Sequence, residues 1–542
     1  MQIDPNSLTA LTKIINKIIE VSDPISNELR SLKNEIDKTS LQNFEDRIDP
    51  IHTNIKVAFD KCKQLKRSFC KIMKKDQKNH IVSKTSLKIK KTNEKTHNNK
   101  QLKDYCTQNL LPLQLKGPDQ TMKQISSESV KNNPLSLSKG ISKESKQSNI
   151  PLNMTIKCYV CKKNTQIIHF FYDQMCSDCG LFNYQKRSQK CDLTGIHVLL
   201  TGVRIKIGYQ LALILLRNGC NLIATTRFPK DALLRFTNEK DFPIWKDRLK
   251  IYGLDFRNLT ELRNFCQEMQ QTLPKLDILI NNAAQTNRHH PLFYKNLVDI
   301  ENSEINKDLQ RILNEKYLCA YPEMKMLALE NPPGPDEIQS GDPNIHIENP
   351  NKVLAQTFNP MLNLYFPDNC LDVNQQQIDL LPQNSWVKNF SQVSFMEFAE
   401  TQVINSWAPY LLCLYLKPLF IRNPSDNKHI INVSSMEGRF NKFKRSCHPH
   451  TNMAKASLDM LTRTCGQDFV KDHIYMNSVD TGWVSEMYPL EHTIKRTVPL
   501  DEIDGAMRVL DPIFNAFNHN QKVHSMFYKD YKGIPLIDID KQ

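Results

Sequence analysis

The feature that most constrains the fold is a series of short apolar segments that alternate with helical patterns. His197 to Gly202 is an apolar run ending in a turn, and Ile207 to Gly219 follows with apolar residues at helical spacing. Further strand-like segments continue the series: Asn221 to Arg227, Arg248 to Phe256, Leu276 to Ala284, His429 to Ser435 and Ile474 to Val484. Strands that alternate with helices form βαβ units, so the sequence predicts a doubly wound parallel α/β sheet.

The first strand–turn–helix of this series predicts a dinucleotide site. In a Rossmann-type sheet, backbone N–H groups at the start of the first helix bind the pyrophosphate. We therefore expect the cofactor to bind at Thr201 to Gly208.

Two pairs of cysteines lie just before the sheet. Cys158-x2-Cys161 is followed after 14 residues by Cys176-x2-Cys179. Each tight turn directs two thiolates at one ion, so the spacing predicts a structural zinc site of the zinc-ribbon kind with all four positions filled. The intervening segment Ile167 to Asp173 is predicted to be a strand, with His169 in the hairpin and not a ligand.

Charge divides the chain into two parts. Residues 1–190 contain 34 basic and 18 acidic residues, whereas the remainder contains 38 and 40. Helical periodicity predicts a helical segment over 1–75, and a Lys/Asn/Ser-rich composition predicts a disordered basic linker over 76–150. The basic stretch either binds a protein or nucleic-acid partner or is a solvated linker.

The remaining boundaries follow from the cysteine pairs and the strand series. We assign 151–190 to the zinc-ribbon-like module and 191–535 to the Rossmann domain, with an insertion at about 290–395. This insertion is either a lid or docking surface near the ligand or a tolerated surface loop. The chain has no uninterrupted apolar run of 18 residues and no signal-peptide pattern, and most of its 15 cysteines are scattered. We therefore expect a cytoplasmic protein without a membrane partner.

Five motifs, in order, resemble those of the short-chain dehydrogenase/reductase family. They are Thr-Gly-x-x-x-Lys-x-Gly from Thr201, Asp255, Asn-Asn-Ala-Ala from Asn281, Asn-Val-Ser-Ser from Asn432 and Val-Asp-Thr-Gly-Trp from Val479. The resemblance covers about 340 residues and implies an NAD(P)-dependent oxidoreductase. It implies cofactor contacts from the following residues: Thr201, Gly202, Arg204, Lys206, Ile207, Gly208, Arg227, Asp255, Asn282, Ala283, Lys455 and Gly482.

Two departures from the family motifs concern the cofactor. Lys206 replaces the middle glycine, with Arg204 nearby, as a basic residue does in the pteridine-reductase-like branch. The second strand ends in Thr225, Thr226 and Arg227, with no acidic residue to bind a ribose 2′-hydroxyl. A cationic pocket there favours the 2′-phosphate of NADP over NAD. Alternatively, Arg227 pairs with a surface carboxylate.

A third departure concerns catalysis. The resemblance implies a catalytic set of Asn405, Ser435, Thr451 and Lys455, in which Thr451 stands at the tyrosine of the family's Tyr-x-x-x-Lys pattern. A phenol has a pKa of about 10, and an aliphatic hydroxyl is a much weaker acid, so Thr451 cannot simply replace it. His448 and His450 are either substitute acids or surface-loop histidines.

Different functions therefore remain open at this stage. The first is an NADP-dependent oxidoreductase of this family that acts on a carbonyl or C=N small molecule, with a second copy of the chain as a candidate partner. The second is a catalytically inactive NADP-binding scaffold or sensor that acts through its zinc ribbon and helical arm. The third is a nucleic-acid-associated protein that uses the ribbon and the basic arm.

Overall fold

The computed structural model describes residues 149–317, 365–440, 444–490 and 497–536. All of them fall within one compact unit, Lys84–Gln542. The predicted helical segment (1–75) and the predicted basic linker (76–150), apart from its last two residues, lie outside the described residues. So do residues 318–364 of the predicted insertion.

A small module precedes the main sheet. Its elements are β1 (Ile150–Lys157), β2 (Asn164–Ile168) and α1 (Ser177–Arg187). The two strands pair antiparallel, and the second cysteine pair lies at the start of α1. The module is therefore a hairpin followed by a helix, which differs from a ribbon with two hairpins. The predicted strand at 167–173 ends at Ile168, after which the chain turns towards α1.

Nine strands form the main sheet of the described chain. They are β3 (His197–Thr201), β4 (Asn221–Thr226), β5 (Leu249–Leu254), β6 (Ile278–Asn281), β7 (Leu313–Tyr317), β8 (Lys428–Ser434), β9 (Ile474–Asp480), β10 (Met526–Lys529) and β11 (Lys532–Pro535). Their order is β11-β10-β9-β8-β6-β3-β4-β5-β7. All neighbours are parallel except β10 and β11. This is the predicted doubly wound, Rossmann-type sheet.

Helices cover both faces of the sheet. The larger ones are α2 (Lys206–Arg217), α3 (Pro229–Thr237), α5 (Leu259–Thr272), α8 (Phe395–Gln402), α9 (Ala408–Arg422), α10 (Pro449–Phe469) and α11 (Glu502–His519). Short helices are α4 (Phe242–Trp245), α6 (Lys295–Glu301) and α7 (Lys307–Gln310). None of the described helices is long and apolar enough to cross a membrane.

The sheet separates two apolar cores. Along β3, Val198 and Leu200 pack into one core with α2 and α11, whereas Leu199 packs into the other with α5 and α9. This alternation follows from the two-residue period of a strand. The inner strands are largely buried on both faces, as expected for a parallel sheet between helical layers, and every residue of β8 is buried. The edge strands β7 and β11 are more exposed.

The insertion adds an edge strand that the sequence pattern did not reveal. After β6 the chain crosses to the far edge of the sheet, where β7 pairs with β5. The described part then returns from residue 365 to α8. A different addition, β11, lies at the opposite edge. Both strands extend the sheet without changing the order of its central seven strands.

Candidate active site

The turn between β3 and α2 depends on two glycines. Gly202 has a φ of +75°, and a Cβ there would lie 2.9 Å from Ala283 Cα. A Cβ on Gly208 would lie 1.8 Å from the carbonyl oxygen of Gly202. Because neither site has room for a side chain, the start of α2 packs directly on the turn. Its free backbone N–H groups therefore face the ends of the strands.

Lys206 has a left-handed backbone at the position of the missing middle glycine. Its φ is +52°, which costs a non-glycine residue about 1–2 kcal/mol. The turn therefore keeps the backbone geometry of a glycine while it carries a cationic side chain at the start of α2. Such strain is found most often at functional sites.

Two substitutions of Lys206 distinguish the effect of its backbone strain from the effect of its side-chain charge. We expect Lys206→Gly to raise the free energy of unfolding by about 1 kcal/mol, because glycine adopts positive φ without steric cost. Lys206→Ala should give no such gain, since alanine retains the strain. Urea denaturation of both variants measures the difference. A Lys206→Gly variant that is less stable than the parent would contradict the strain.

Side-chain hydrogen bonds join the carboxyl ends of β3 and β6. Thr201 Oγ1 accepts hydrogen bonds from the backbone N–H groups of Asn282 and Ala283, at 3.0 and 2.9 Å. Asn282 Nδ2 donates to the carbonyl oxygens of Thr201 and Gly202. The strand order reverses between these two strands, which is where ligands bind in open α/β sheets.

A cleft of about 540 Å³ opens at this point, a volume typical of small-molecule sites. Most predicted cofactor residues line it: Gly202, Arg204, Lys206, Ile207, Gly208, Arg227, Asp255, Asn282 and Ala283. Thr201, Lys455 and Gly482 do not. Thr201 is behind the wall, where it holds Asn282 in place. Residues of the insertion and of the segment 484–490 form the other walls.

Cationic groups lie at the end of β4. The Arg227 guanidinium lies 5.5 Å from the Phe228 ring centre and 5.1 Å from that of Tyr294, and it donates to Tyr294 Oη at 3.4 Å. Arg204 is buried, donates to Asp231 and contacts Gln376 of the insertion. Arg204 is thus held by Asp231 and Gln376, and Arg227 lies against aromatic rings on the cleft wall.

Asp255 lies at the end of β5 and is bound by its neighbour. The Arg257 guanidinium donates to both carboxylate oxygens of Asp255, and the Arg257 backbone N–H donates to one of them. Burial alone would raise the pKa of Asp255, but the Arg257 hydrogen bonds and charge lower it overall. The carboxylate is thus ionised on the cleft wall, and Arg257 occupies much of its acceptor capacity.

The predicted catalytic residues lie beside the cleft but do not line it. Lys455 donates to the Val433 carbonyl oxygen at 2.7 Å, and burial lowers the pKa of Lys455 to about 8. Ser435 directly follows β8, where its hydroxyl accepts from the Glu437 N–H. The close packing of this turn on α10 requires Gly438, because a Cβ there would lie 2.6 Å from the backbone of Lys455.

Asn405 lies in a π-helical turn, Val403–Trp407, between α8 and α9. Its side chain accepts from the Gln285 N–H at 2.7 Å and donates to the Gln285 carbonyl oxygen at 2.8 Å. This reciprocal pair ties the loop after β6 to the helix. The next residue towards the N-terminus, Ile404, lines the cleft.

Thr451 is buried near the start of α10. Its hydroxyl has no hydrogen-bond partner among the described residues, and neither has either ring nitrogen of His450. His450 Nε2 lies 3.6 Å from Glu397 Oε1, and the other Glu397 oxygen pairs with Lys388. Burial lowers the pKa of His450, so its ring is neutral at pH 7.

His448 is also buried. Its ring stacks on Trp386 with centres 4.0 Å apart. Nδ1 faces the Trp386 carbonyl oxygen at 2.7 Å, and Nε2 faces a Glu437 oxygen at 3.1 Å. Neither histidine is therefore a surface-loop residue, because the insertion covers this end of α10.

The four cysteines of the module come together. Their sulfur atoms all lie within 4.8 Å of one another, and those of Cys161 and Cys176 are 3.9 Å apart. Four thiolates around a tetrahedral zinc ion are separated by about 3.8 Å, so the donor set fits zinc. His169 stays outside the cluster. It packs against Gly180, and burial lowers its pKa to about 4.

Sequence reasoning missed the residues that the insertion contributes. Gln376 contacts Arg204, and Asn384 Nδ2 donates to the Met487 carbonyl oxygen at 2.9 Å. Trp386 stacks on His448. The only available signal was the length and position of the insertion, since no spacing marks these residues individually. Tyr294 was missed for the same reason.

A dinucleotide-binding oxidoreductase fold is the class that this sheet and cleft define. The family model described as short chain dehydrogenase matches residues 196–305. A second model, described as Enoyl-(Acyl carrier protein) reductase, matches residues 371–506. Both matches lie within the Rossmann domain and assign it to the short-chain dehydrogenase/reductase family.

Individual proteins show more limited similarity. Uncharacterized protein R665 of Acanthamoeba polyphaga mimivirus is 29% identical over 405 residues, which are 72% of this chain and 77% of that protein. The WW domain-containing oxidoreductase of Drosophila melanogaster is 33% identical over 96 residues, 17% of this chain and 23% of that protein. NADPH-bound carbonyl reductase from chicken fatty liver has a TM-score of 0.39 and 15% identity, covering 64% of this chain and 100% of that one.

Proposed function

We propose that this chain is an NADP-dependent oxidoreductase that reduces or forms a C=O or C=N bond in a small molecule. The observation that carries the NADP preference is the end of β4. There Arg227 lines the cleft beside the stacked rings of Phe228 and Tyr294, and no acidic residue stands at Thr225 to Phe228 to bind a ribose 2′-hydroxyl. Arginine binds phosphate with paired charge-assisted hydrogen bonds, and Lys206 adds a second positive charge at the turn.

The nicotinamide, when bound, supplies or accepts the hydride of this reaction. We assign the other tasks to residues at the carboxyl ends of β8 and β6 and on α10. Lys455 holds the cofactor ribose, Ser435 donates a hydrogen bond to the substrate oxygen or nitrogen, and Asn405 holds the loop after β6 in place. The reciprocal bonds of Asn405 with Gln285 support this positioning role.

The proton in the reducing direction comes from Lys455 in this proposal. Thr451 and Lys455 lie one turn apart on the same face of α10, where side chains are neighbours. A lysine whose pKa is about 8 is an adequate acid near neutral pH. The Thr451 hydroxyl makes no hydrogen bond to Lys455, so the proposal assigns it no part in the proton transfer. His450 does not fit this role, because its burial favours the neutral ring.

The proposal predicts turnover that depends on Ser435. Full-length chain mixed with NADPH and a panel of aldehydes, ketones, quinones and cyclic imines should oxidise the cofactor with at least one compound. Ser435→Ala should lower kcat by about 100-fold, the usual effect of losing one donor to a developing negative charge. The same variant should bind NADPH as the parent does.

The pH profile tests the assigned acid. Reduction requires protonated Lys455, so kcat should be level below the lysine pKa of about 8 and fall as the pH rises above it. A kcat that is zero at low pH and rises as the pH passes 8 would contradict the assignment of Lys455 as the acid. Tight NADPH binding with no turnover across the panel would contradict the oxidoreductase proposal itself.

We also propose that the Cys158, Cys161, Cys176 and Cys179 cluster holds a structural zinc ion. The sulfur separations support this proposal, and four thiolates leave no open position for a reacting water. Elemental analysis of the purified full-length chain should find one zinc per chain. A metal-free protein that unfolds at the same temperature after zinc is added would contradict it.

A further inference from the structure

The cysteine module contacts the loop that follows β9. The Trp483 N–H donates to Tyr159 Oη at 2.9 Å, and Tyr159 lies within the first cysteine knuckle. The neighbouring Gly482 has a φ of +77°, and a Cβ on it would lie 3.2 Å from Tyr159 Oη and 2.5 Å from Leu500. The first knuckle is thus in close contact with the backbone at Gly482.

The same loop forms a wall of the cofactor cleft. Residues 484–490 line the cleft, immediately after the two residues that touch Tyr159. Val484 and Leu500 also share an apolar cluster with Cys158, Tyr172 and Met175 of the module. Ile207, which packs against this cluster, lines the cleft from α2. One apolar cluster therefore joins the cysteine module to two walls of the cleft.

A second contact holds the far end of this segment. Gln174 Nε2 donates to the Thr497 carbonyl oxygen at 3.0 Å. Gln174 is two residues before Cys176, and its own carbonyl oxygen accepts from the Tyr159 N–H at 2.7 Å. Tyr159 and Gln174 are thus bonded to each other, and together they hold the chain at Trp483 and at Thr497. Tyr159 lies in the first knuckle and Gln174 lies just before the second. A metal ion that joins the two knuckles would therefore fix the distance between Tyr159 and Gln174.

We propose that the metal-bound cysteine module positions residues 482–490 for the nicotinamide end of the cofactor, with Tyr159 as the main positioning residue. This inference rests on the proposed binding of NADP. Without the metal, no metal–sulfur bonds hold the two knuckles together, and the Tyr159–Trp483 contact loses this support. The adenosine end lies at Arg227 and Lys206. No hydrogen bond joins these described residues to Tyr159 or Gln174, so loss of the Tyr159 hydroxyl should leave the affinity of this end unchanged.

Two ligands distinguish the ends of the cleft in the full-length chain. NADPH fills both ends, whereas adenosine 2′,5′-bisphosphate carries the 2′-phosphate but no nicotinamide. In Tyr159→Phe, which keeps the ring and loses one hydrogen bond, we expect about fivefold weaker NADPH binding. Depletion of the metal with a zinc chelator should weaken it by at least about tenfold. Tyr159→Phe should bind adenosine 2′,5′-bisphosphate as the parent does. Metal depletion also affects the cluster that contains Ile207 of α2, so it should weaken this ligand, but less than it weakens NADPH.

Tyr184→Phe is the matched control. Its ring packs within the same module against Phe170 and Phe171, and its hydroxyl makes no hydrogen bond to residues 482–490 or to Thr497. It should bind both ligands normally. Equal losses for the two ligands, or no loss of NADPH affinity in Tyr159→Phe, would overturn the inference. If the parent binds neither ligand, the proposed NADP function fails first, and the inference fails with it.

Discussion

Gly208→Ala is expected to abolish cofactor binding at micromolar concentrations. A methyl group there would lie 1.8 Å from the Gly202 carbonyl oxygen and 2.7 Å from Asn282 Nδ2. The obstacle on one side is backbone, so α2 must move away from the turn. A shift of about 1 Å in a binding group costs about 100-fold, and the overpacking should lower the free energy of unfolding by about 2–3 kcal/mol. Fluorescence titration with NADPH and urea denaturation measure the two effects.

Gly533→Ala is the matched control for this variant. Gly533 lies in the edge strand β11, and a Cβ there would meet only ordinary contacts, the nearest at 3.4 Å. It should change the free energy of unfolding by no more than about 0.5 kcal/mol and leave NADPH affinity unchanged. If Gly208→Ala binds NADPH as tightly as Gly533→Ala does, the dinucleotide site is not at the start of α2.

Arg187→Ala should lower the free energy of unfolding by about 3–5 kcal/mol, because it leaves two buried carboxylates without their cation. Arg187 ends α1 and is 16% exposed, while the side chains of its partners Asp501 and Asp504 are 0% exposed. It contacts Asp501 with both terminal nitrogens. The Asp501 side chain also caps the start of α11, so the pair joins the cysteine module to the Rossmann domain.

The loss of stability in Arg187→Ala should become larger as the pH rises. Burial and the Asp501 charge already raise the pKa of Asp504, and removing Arg187 raises it further. A native carboxyl with a raised pKa binds more protons than the unfolded one, so stability falls as the pH rises through the folded-state pKa. Urea denaturation at pH 5 and pH 8 measures this difference, with the larger deficit expected at pH 8.

Arg217→Ala is the control for an arginine paired at the surface. Arg217 is 43% exposed, and it pairs with Glu239 and Asp241. Exposed pairs contribute about 0–1 kcal/mol, so this variant should remain close to the parent. An Arg187→Ala variant with a loss as small as that of Arg217→Ala would show that the module is not held to α11 by this buried pair.

The central sheet could be predicted because burial on both faces leaves a direct pattern in the sequence. Strands such as β8 appear as short apolar runs between helical repeats. The turn at Gly202 to Gly208 could also be predicted from the sequence, because glycine is required where the fold leaves no room for a side chain. Lys206 shows the limit of that reasoning, since its positive φ appears only in the structure.

The catalytic side of the cleft was harder to predict. Spacing placed Thr451 and Lys455 one turn apart, but it could not show that the insertion covers the start of α10. His448 and His450 were left open as substitute acids or surface residues. The structure buries both, because Trp386 stacks on one and Glu397 lies beside the other. These contacts join residues that are far apart in the sequence, and no sequence motif links them.

Long-range polar contacts were likewise beyond the sequence. Arg187 and Asp501 are 314 positions apart, and neither belongs to a motif. The cysteine spacing predicted one cluster, and the four sulfur atoms do lie together, but the spacing did not reveal that the second knuckle lies at the start of α1. It also gave no sign that Tyr159 reaches the loop after β9. Such contacts depend on how preformed elements dock, which local sequence does not encode.

Comparative titration of the full-length chain with NADPH and NADH tests the proposed NADP preference. We expect NADPH to bind at least about tenfold tighter than NADH, since a charge-assisted phosphate contact is worth about 1.5–3 kcal/mol. Equal affinities, or tighter binding of NADH, would contradict the assignment of Arg227 and Lys206 to a 2′-phosphate. Absence of binding by either cofactor to the folded chain would contradict the dinucleotide site as a whole.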